Sequence, residues 1–166
     1  LSSSSAASDV YKRQVHNGVL EDFGATKCLL NPPFSYSENG MPFVLGCLNS
    51  MSKGGKLAVI IQDSAGTGKS IETNKKILKE HSLEASIRMP GDLFEPSAGV
   101  QTSIYIFTAG VPHDVKKNVR FIDFADDGYK RTGRGMRKIG DPDTRYEDVK
   151  NCLLYTSPSP RDKRQS

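Results

Sequence analysis

Residues 25–34 read Ala-Thr-Lys-Cys-Leu-Leu-Asn-Pro-Pro-Phe, and the organisation of the chain can be worked out from this stretch. The short apolar run that leads into Asn31-Pro32-Pro33 predicts a buried strand. Proline ends it, because proline lacks the amide hydrogen that a sheet requires. In open α/β sheets, ligands bind in the crevice at the carboxyl ends of the strands. We therefore expect a functional site at residues 31–34.

Beyond this stretch the chain alternates between helix and strand patterns. Apolar residues first recur at the spacing of one helix face, at Val44, Cys47, Leu48 and Met51. Gly54-Gly55 is the predicted end of that helix. A second helix is predicted at residues 70–81, with three apolar residues facing inward (Ile71, Ile77, Leu78) and three lysines facing solvent (Lys75, Lys76, Lys79). Strands are predicted at residues 57–61, 83–89, 100–107 and 119–124. This alternation predicts an α/β domain with a mostly parallel sheet.

The composition is that of a single folded domain. The chain has 166 residues, of which 36% are hydrophobic and 25% charged. Without a signal peptide, and without an apolar run near the roughly 20 residues of a membrane span, a cytoplasmic location is expected. Three cysteines with no C-x-x-C pair argue against a disulfide framework, and no metal site is expected. Of the net charge of +4, +1 lies in residues 1–14 and +2 in residues 152–166, so the nearly neutral centre gives no sign of nucleic-acid binding.

Both ends of the chain are expected to lie outside the fold. Residues 1–14 begin with the low-complexity run LSSSSAAS, residues 152–166 contain Ser-Pro-Ser-Pro, and both carry Lys-Arg-Gln. They resemble translated adapter remnants, and native disordered tails are the alternative. The predicted division is therefore two terminal tails, an α/β region at residues 15–125 that contains the site, and a basic extension at residues 126–151.

The residue types at positions 31–34 suit chemistry on an amino group that is a poor nucleophile. The lone pair of the exocyclic nitrogen of adenine is delocalised into the ring, and hydrogen-bond acceptors aimed at its two N–H bonds would localise it. The side-chain oxygen of Asn31 and the backbone carbonyl of Pro32 can be those acceptors, with Pro32 and Pro33 stiffening the chain. Phe34 offers a face on which an extruded base can stack, worth about 1–3 kcal/mol. The alternative is a plain two-proline loop.

Asn31-Pro32-Pro33-Phe34 resembles the catalytic motif of the amino-methyltransferases. The stretches LAVIIQ, LEASIRMPGDLF, GVQTSIYIFTAG and DDGYKRTGRG are similar to the modification subunits of type I restriction–modification systems. This resemblance covers about residues 25–140. It implies a Rossmann-like methyltransferase fold, of which residues 15–125 form the catalytic C-terminal half, with a mostly parallel sheet and an antiparallel strand. It also implies S-adenosylmethionine as methyl donor, adenine in DNA as substrate, and Asn31 as a cofactor contact.

The resemblance further implies DNA and a specificity subunit as partners, and leaves open whether a restriction subunit joins them. Members of this family place a glycine-rich cofactor-binding loop before the Asn-Pro-Pro motif, and residues 15–30 contain no such loop. We therefore interpret the chain as a fragment that is inactive alone. Enzymes resembling RNA and protein-glutamine amino-methyltransferases use the same motif, so these substrates remain alternatives.

Two further segments suggest other functions. Residues 65–70 read Ala-Gly-Thr-Gly-Lys-Ser after a predicted strand, which is half of a phosphate-binding loop, but Asp63 stands where that pattern needs glycine. A P-loop nucleotidase and a non-catalytic partner-binding module remain less favoured alternatives. Five basic residues with no acid among them could follow a phosphate backbone: Lys130, Arg131, Arg134, Arg137 and Lys138. A solvated flexible loop explains them equally well.

Overall fold

The structure is a computed structural model that describes residues 24–95 and 99–155. The predicted tail at residues 1–14 lies outside the described residues, as does the part of the second tail from residue 156 onward. Five strands form the main sheet: β1 (Ala25–Leu30), β2 (Met51–Gln62), β3 (Ser82–Arg88), β4 (Thr102–Thr108) and β5 (Arg120–Asp123). Three helices accompany them: α1 (Met41–Asn49), α2 (Ile71–Glu80) and α3 (Pro142–Leu154). The last helix thus extends three residues into the predicted tail at residues 152–166.

The sheet has the order β1–β2–β4–β3–β5. β1 pairs with β2 in parallel, β3 pairs with β5 in parallel, and β4 is antiparallel to both of its neighbours, β2 and β3. Four strands therefore run in one direction and β4 runs in the other. This confirms the predicted α/β fold with a mostly parallel sheet and an antiparallel strand.

The hydrophobic core lies between this sheet and the two helices α1 and α2. The connections β1–α1–β2 and β2–α2–β3 advance in the same direction across the sheet, and right-handed crossovers then place both helices on one face. The two helices contact each other there. The largest fully buried apolar side chains are Val44, Leu48, Leu57, Val59, Ile61 and Ile77. Within the described residues, no helix is both long enough and apolar enough to cross a membrane.

Three predictions about the helices are wrong, and the prediction that β1 is buried is wrong as well, because β1 is an edge strand in which Leu29 is 88% exposed. α1 ends at Asn49, so Met51 belongs to β2 and not to the helix face. Gly54-Gly55 does not end a helix, because β2 pairs Met51 with Ala25 and Lys56 with Lys27, which leaves the intervening residues as a bulge with Gly54 at φ +83°. Ile71 is also not inward-facing, since it is the first residue of α2 and is 45% exposed.

The other predicted positions on these helices agree with the structure. Val44, Cys47, Leu48 and Ile77 are buried, Leu78 is half-buried, and the three lysines of α2 are exposed. The Sγ atoms of Cys28 and Cys47 lie 3.1 Å apart, with Cys47 buried and Cys28 half-buried.

Candidate active site

The Asn-Pro-Pro-Phe motif begins where β1 ends, at the carboxyl edge of the sheet. Asn31 and Pro33 are exposed, Pro32 is buried, and Phe34 is half-buried. The Pro33 carbonyl accepts a hydrogen bond from the Tyr36 N–H at 3.2 Å, which closes a turn. Among the described residues, neither the Asn31 side chain nor the Pro32 carbonyl has a hydrogen-bond partner. Neither oxygen is therefore engaged by another described residue, and the Asn31 side chain is exposed at this edge.

The backbone of Gly40 lies close to the ring of Pro32. It has φ +85°, and a Cβ atom at this glycine would lie 3.1 Å from Pro32 Cβ and 3.2 Å from Pro32 Cγ. Carbon atoms prefer a separation of about 3.5–4.0 Å. Only glycine can therefore approach the Pro32 ring this closely without moving it.

The loop after the motif has a strained backbone that α2 holds in place. Glu38 and Asn39 have φ +53° and +55° in the 3₁₀ turn Ser37–Gly40, a conformation that non-glycine residues adopt rarely. The Ser70 hydroxyl donates to the Glu38 carbonyl at 2.7 Å, and the Thr73 hydroxyl donates to the Glu38 carboxylate. Ser70 and Thr73 are both buried. Two bonds from one helix end therefore stabilise the strained turn.

These bonds also explain the segment that resembles half of a phosphate-binding loop. It folds as two 3₁₀ turns, Asp63–Gly66 and Gly68–Ser70, and not as a single cradle. Asp63, at the start of the first turn, accepts a hydrogen bond at 2.7 Å from the hydroxyl of Ser103 on β4. The segment thus connects β2 to α2 and supports the motif loop through Ser70, which gives its residues a packing role.

A second aromatic residue, Phe94, which the sequence analysis did not identify, contacts the motif. Phe94 lies in the turn that follows β3, and its ring contacts Phe34 edge-to-face, with centroids 5.1 Å apart and planes at 89°. β1 and β3 run in the same direction, so their carboxyl ends meet at one edge of the sheet. The position of Phe94 shortly after the end of a strand was the available signal.

The predicted basic loop is a β-hairpin in the structure, formed by β6 (Tyr129–Thr132) and β7 (Gly135–Lys138). Its register places Lys130 opposite Arg137 on one face, and Arg131 opposite Met136 on the other. Four of the basic side chains are exposed and form no ion pair with the described residues: Lys130, Arg134, Arg137 and Lys138. The structure therefore gathers these four on a protruding hairpin, but on both of its faces.

Arg131 behaves differently from the other four cations. Its backbone N–H donates to Asp92 Oδ2 at 2.8 Å, its Nη1 donates to Asp92 Oδ1 at 3.3 Å, and its Nη2 donates to Asp127. The hydrogen bond with Asp127 raises the pKa of Arg131. The backbone hydrogen bond from Arg131 lowers the pKa of Asp92. Arg131 is 15% exposed, so this predicted DNA contact is directed into the protein.

Residues 15–147 match the family model described as N-6 DNA Methylase. The chain belongs to the N-6 DNA methylase family. This confirms the family that the motif and the flanking strands predicted. Over 123 residues, the chain is 36% identical to the type II restriction enzyme and methyltransferase RM.BcgI of Heyndrickxia coagulans, covering 68% of the chain and 19% of that protein. Over 60 residues it is 37% identical to the type I restriction enzyme EcoEI methylase subunit of Escherichia coli, covering 35% and 12%.

The chain spans about a fifth or less of the length of these curated relatives. Its fold is similar to a protein from Vibrio vulnificus YJ016 assigned as a modification subunit of a type I restriction enzyme, with TM-score 0.62, 18% identity and coverage of 82% of this chain and 33% of that one. A Listeria monocytogenes protein assigned as a class I S-adenosylmethionine-dependent methyltransferase gives TM-score 0.50 at 21% identity, with 70% and 32% covered. These likenesses show the methyltransferase fold.

Proposed function

We propose that this chain is the base-methylating part of an adenine-specific DNA methyltransferase in a restriction–modification system. The observation that carries the proposal is the pair of oxygens, on the Asn31 side chain and the Pro32 carbonyl, that no other described residue engages at the carboxyl edge of the sheet. The membership of the chain in the N-6 DNA methylase family supports adenine as the target. The reaction transfers a methyl group from S-adenosylmethionine to the exocyclic amino group of adenine.

The two oxygens would act as acceptors for the two N–H bonds of the adenine amino group. Accepting both bonds favours a tetrahedral nitrogen, whose lone pair is then free to take the methyl group, and one amino proton leaves to water. This is electrostatic preorganisation, and removal of one such group typically costs about 10²–10³ in kcat. Gly40 supplies the rigidity on the Pro32 side, because its close contact fixes the ring that carries the acceptor.

The Phe34 ring is suited to hold the target base in that position. It is half-buried, and the edge-to-face contact with Phe94 fixes its orientation. A base must leave the duplex stack to reach an active site, and an aromatic face repays part of that cost with about 1–3 kcal/mol. Phe34 would therefore stack on adenine while Asn31 and Pro32 hold its amino group.

S-adenosylmethionine supplies an electrophilic methyl group when it is bound. The exposed positions of Asn31 and Pro33 leave the carboxyl end of β1 open, which fits a ligand at this place. Asn31 is the residue of this chain that we assign to the cofactor side of the site. It would then contact both reactants and set the line of approach between them, which is a positioning role with no proton to transfer.

The hairpin β6–β7 is suited to contact the DNA backbone. Like charges directly opposite each other in a sheet destabilise it, and Lys130 faces Arg137 in this way. A phosphate group between them would neutralise the pair. With Arg134 and Lys138, this gives four candidate phosphate contacts on the hairpin. Such contacts bind DNA of any sequence, so we propose that a separate specificity subunit selects the recognition sequence, with or without a restriction subunit. A role on cellular DNA places the protein in the cytoplasm.

The test is methyl transfer by the full-length protein with S-adenosylmethionine carrying a labelled methyl group. We expect label on adenine in DNA, a loss of about 10²-fold or more in kcat for Asn31→Ala, and little change in DNA affinity. Asn118→Ala is the matched control, because Asn118 is exposed in the connection between β4 and β5. Label in RNA or protein but not in DNA would contradict the substrate. Full activity of Asn31→Ala would contradict the mechanism.

A further inference from the structure

We propose that Arg131 is a positioning residue that couples the basic hairpin to the target-base site. Its ion pairs fasten the hairpin to the turn that carries Phe94, so that DNA held on the outer face of the hairpin sets the position of the aromatic contact at Phe34. This inference rests on the proposed function, because it assigns the hairpin to DNA and Phe34 to the base.

The first step of the argument is the connection between Arg131 and the turn after β3. Asp92 accepts two hydrogen bonds from Arg131, one from its backbone and one from its guanidinium. The turn is compact, since Leu93 N donates to the Pro90 carbonyl at 3.2 Å and Glu95 N donates to the Asp92 carbonyl at 3.0 Å. Phe94 lies two residues after Asp92 within this turn. Asp92 and Phe94 therefore belong to one hydrogen-bonded turn, and we expect a displacement of Asp92 to move the Phe94 ring.

The second step is the anchor on the other side of Arg131. Asp127 accepts from the guanidinium and also from the Tyr129 N–H at 3.0 Å. Next to it, Gly128 has φ +81°, and a Cβ atom there would lie 2.9 Å from the backbone nitrogen of Pro142. The Asp127 end is thus held by β6 and by the start of α3. Arg131 joins this anchored corner to the turn that carries Phe94.

The third step is the choice of side chain. The exposed fractions of the three charged side chains are 15% for Arg131, 21% for Asp92 and 10% for Asp127, so the cluster is largely withdrawn from water. A guanidinium has a rigid fork of donors that can bond two carboxylates at once, whereas an ammonium is a compact point charge. The two carboxylates around this position therefore require an arginine. A cation on the open surface could be either arginine or lysine.

The fourth step is the alternation of side chains along β6. Lys130 and Arg131 are neighbours in the chain and point to opposite faces of the hairpin, because successive side chains of a strand alternate. Lys130 lies with Arg137 on the face of the hairpin opposite to that of Arg131 and Met136. A phosphate bound by Lys130 and Arg137 would therefore contact the same strand, β6, that carries Arg131. The Arg131 side chain, on the opposite face of that strand, bonds Asp92.

The experiment uses the full-length protein and a DNA duplex with 2-aminopurine at the target adenine, whose fluorescence rises when the base leaves the stack. We expect Arg131→Met to lower kcat by about 10- to 100-fold, as a misplacement of up to about 1 Å would. The fluorescence rise should shrink as well, with a smaller change in the Kd for DNA. Arg131→Lys should restore only part of both signals. Arg145→Met is the matched control, because it removes the more exposed Arg145–Asp126 ion pair at 2.8 Å.

Asp92→Asn keeps the shape of the cluster and covers the case in which Arg131→Met fails to fold. It should reproduce the lowered kcat and fluorescence, and combining it with Arg131→Met should add little further loss. Wild-type kcat and fluorescence in Asp92→Asn, or an Arg131→Met effect limited to Kd and its salt dependence, would overturn the coupling. Failure of the wild-type protein to methylate DNA would instead overturn the proposed function, and the coupling with it.

Discussion

Substituting Gly40 tests whether the position of Pro32 matters for catalysis. An alanine at Gly40 must adopt φ +85°, which costs a non-glycine residue about 1–2 kcal/mol. Its Cβ would also stand 3.1 Å from Pro32 Cβ, so the proline must move by a few tenths of an ångström. If a displacement of 1 Å costs about 10²-fold in rate, a shift of roughly 0.3–0.5 Å should lower kcat about 4- to 10-fold.

Gly54→Ala is the matched control for this prediction. Gly54 has φ +83°, and no atom lies within 4 Å of the added Cβ, so this variant carries the backbone strain without contact with the motif. We expect both variants to lose about 1–2 kcal/mol of unfolding free energy in denaturant titrations of the full-length protein. In single-turnover methylation, only Gly40→Ala should be slower. Equal rates for the two variants would show that the Gly40–Pro32 contact does not position the acceptor.

Two further predictions concern DNA affinity and pH. Reversing both charges of the opposed pair, with Lys130→Glu and Arg137→Glu, should weaken DNA binding. The slope of log K against log salt should fall by about 1.8, or about 0.9 per lost phosphate contact. An unchanged slope would mean that the hairpin does not contact phosphate. Burial lowers the pKa of His81 below its ordinary value of 6.5, so its neutral form contributes stability that is present above pH 6.5 and lost as the pH falls through the lowered pKa. His81→Gln should flatten the unfolding free energy measured between about pH 7.5 and about pH 5.5, and an equally steep profile would show that another group titrates.

The hydrogen bonds of His81 give the physical reason for this pH dependence. The ring is buried, its Nδ1 accepts from the Gly110 N–H at 2.9 Å, and its Nε2 lies 2.9 Å from Asn49 Oδ1. Only the neutral ring, with a proton on Nε2, can accept at one nitrogen and donate at the other. Protonation of Nδ1 would break the bond with Gly110, which joins the end of β4 to the end of α2.

The local features of this chain could be predicted from the sequence because each has a local cause. Proline at positions 32 and 33 ends β1 at Leu30, as expected from its missing amide hydrogen. The buried face of α1 at Val44, Cys47 and Leu48 follows directly from the helical period. The family was predicted correctly from the motif together with the stretches that follow it, and the roles of Asn31, Pro32 and Phe34 stay predictions.

The features that depend on distant pairing could not be predicted in this way. Gly54-Gly55 after an apolar period normally signals a helix end, and only the register with β1 shows that the pair lies in a bulge. Arg131 could not be separated from its basic neighbours, because its partner Asp92 is 39 residues away. The position of Phe94 shortly after a strand indicates only that it lies near one edge of the sheet, and its contact with Phe34 depends on the order and direction of distant strands.

The central place of β4 has a consequence for the order of folding. Within the described sheet, β4 is the hydrogen-bonded link between the β1–β2 pair and the β3–β5 pair. β1 and β2 can pair across one helix, but β4 joins β2 only after a loop of about forty residues has closed, from Gln62 to Thr102. Phe34 and Phe94 follow strands on opposite sides of this link. We therefore expect Phe34 and Phe94 to come into contact only after β4 has joined the two pairs of strands, so that the candidate site forms late in folding.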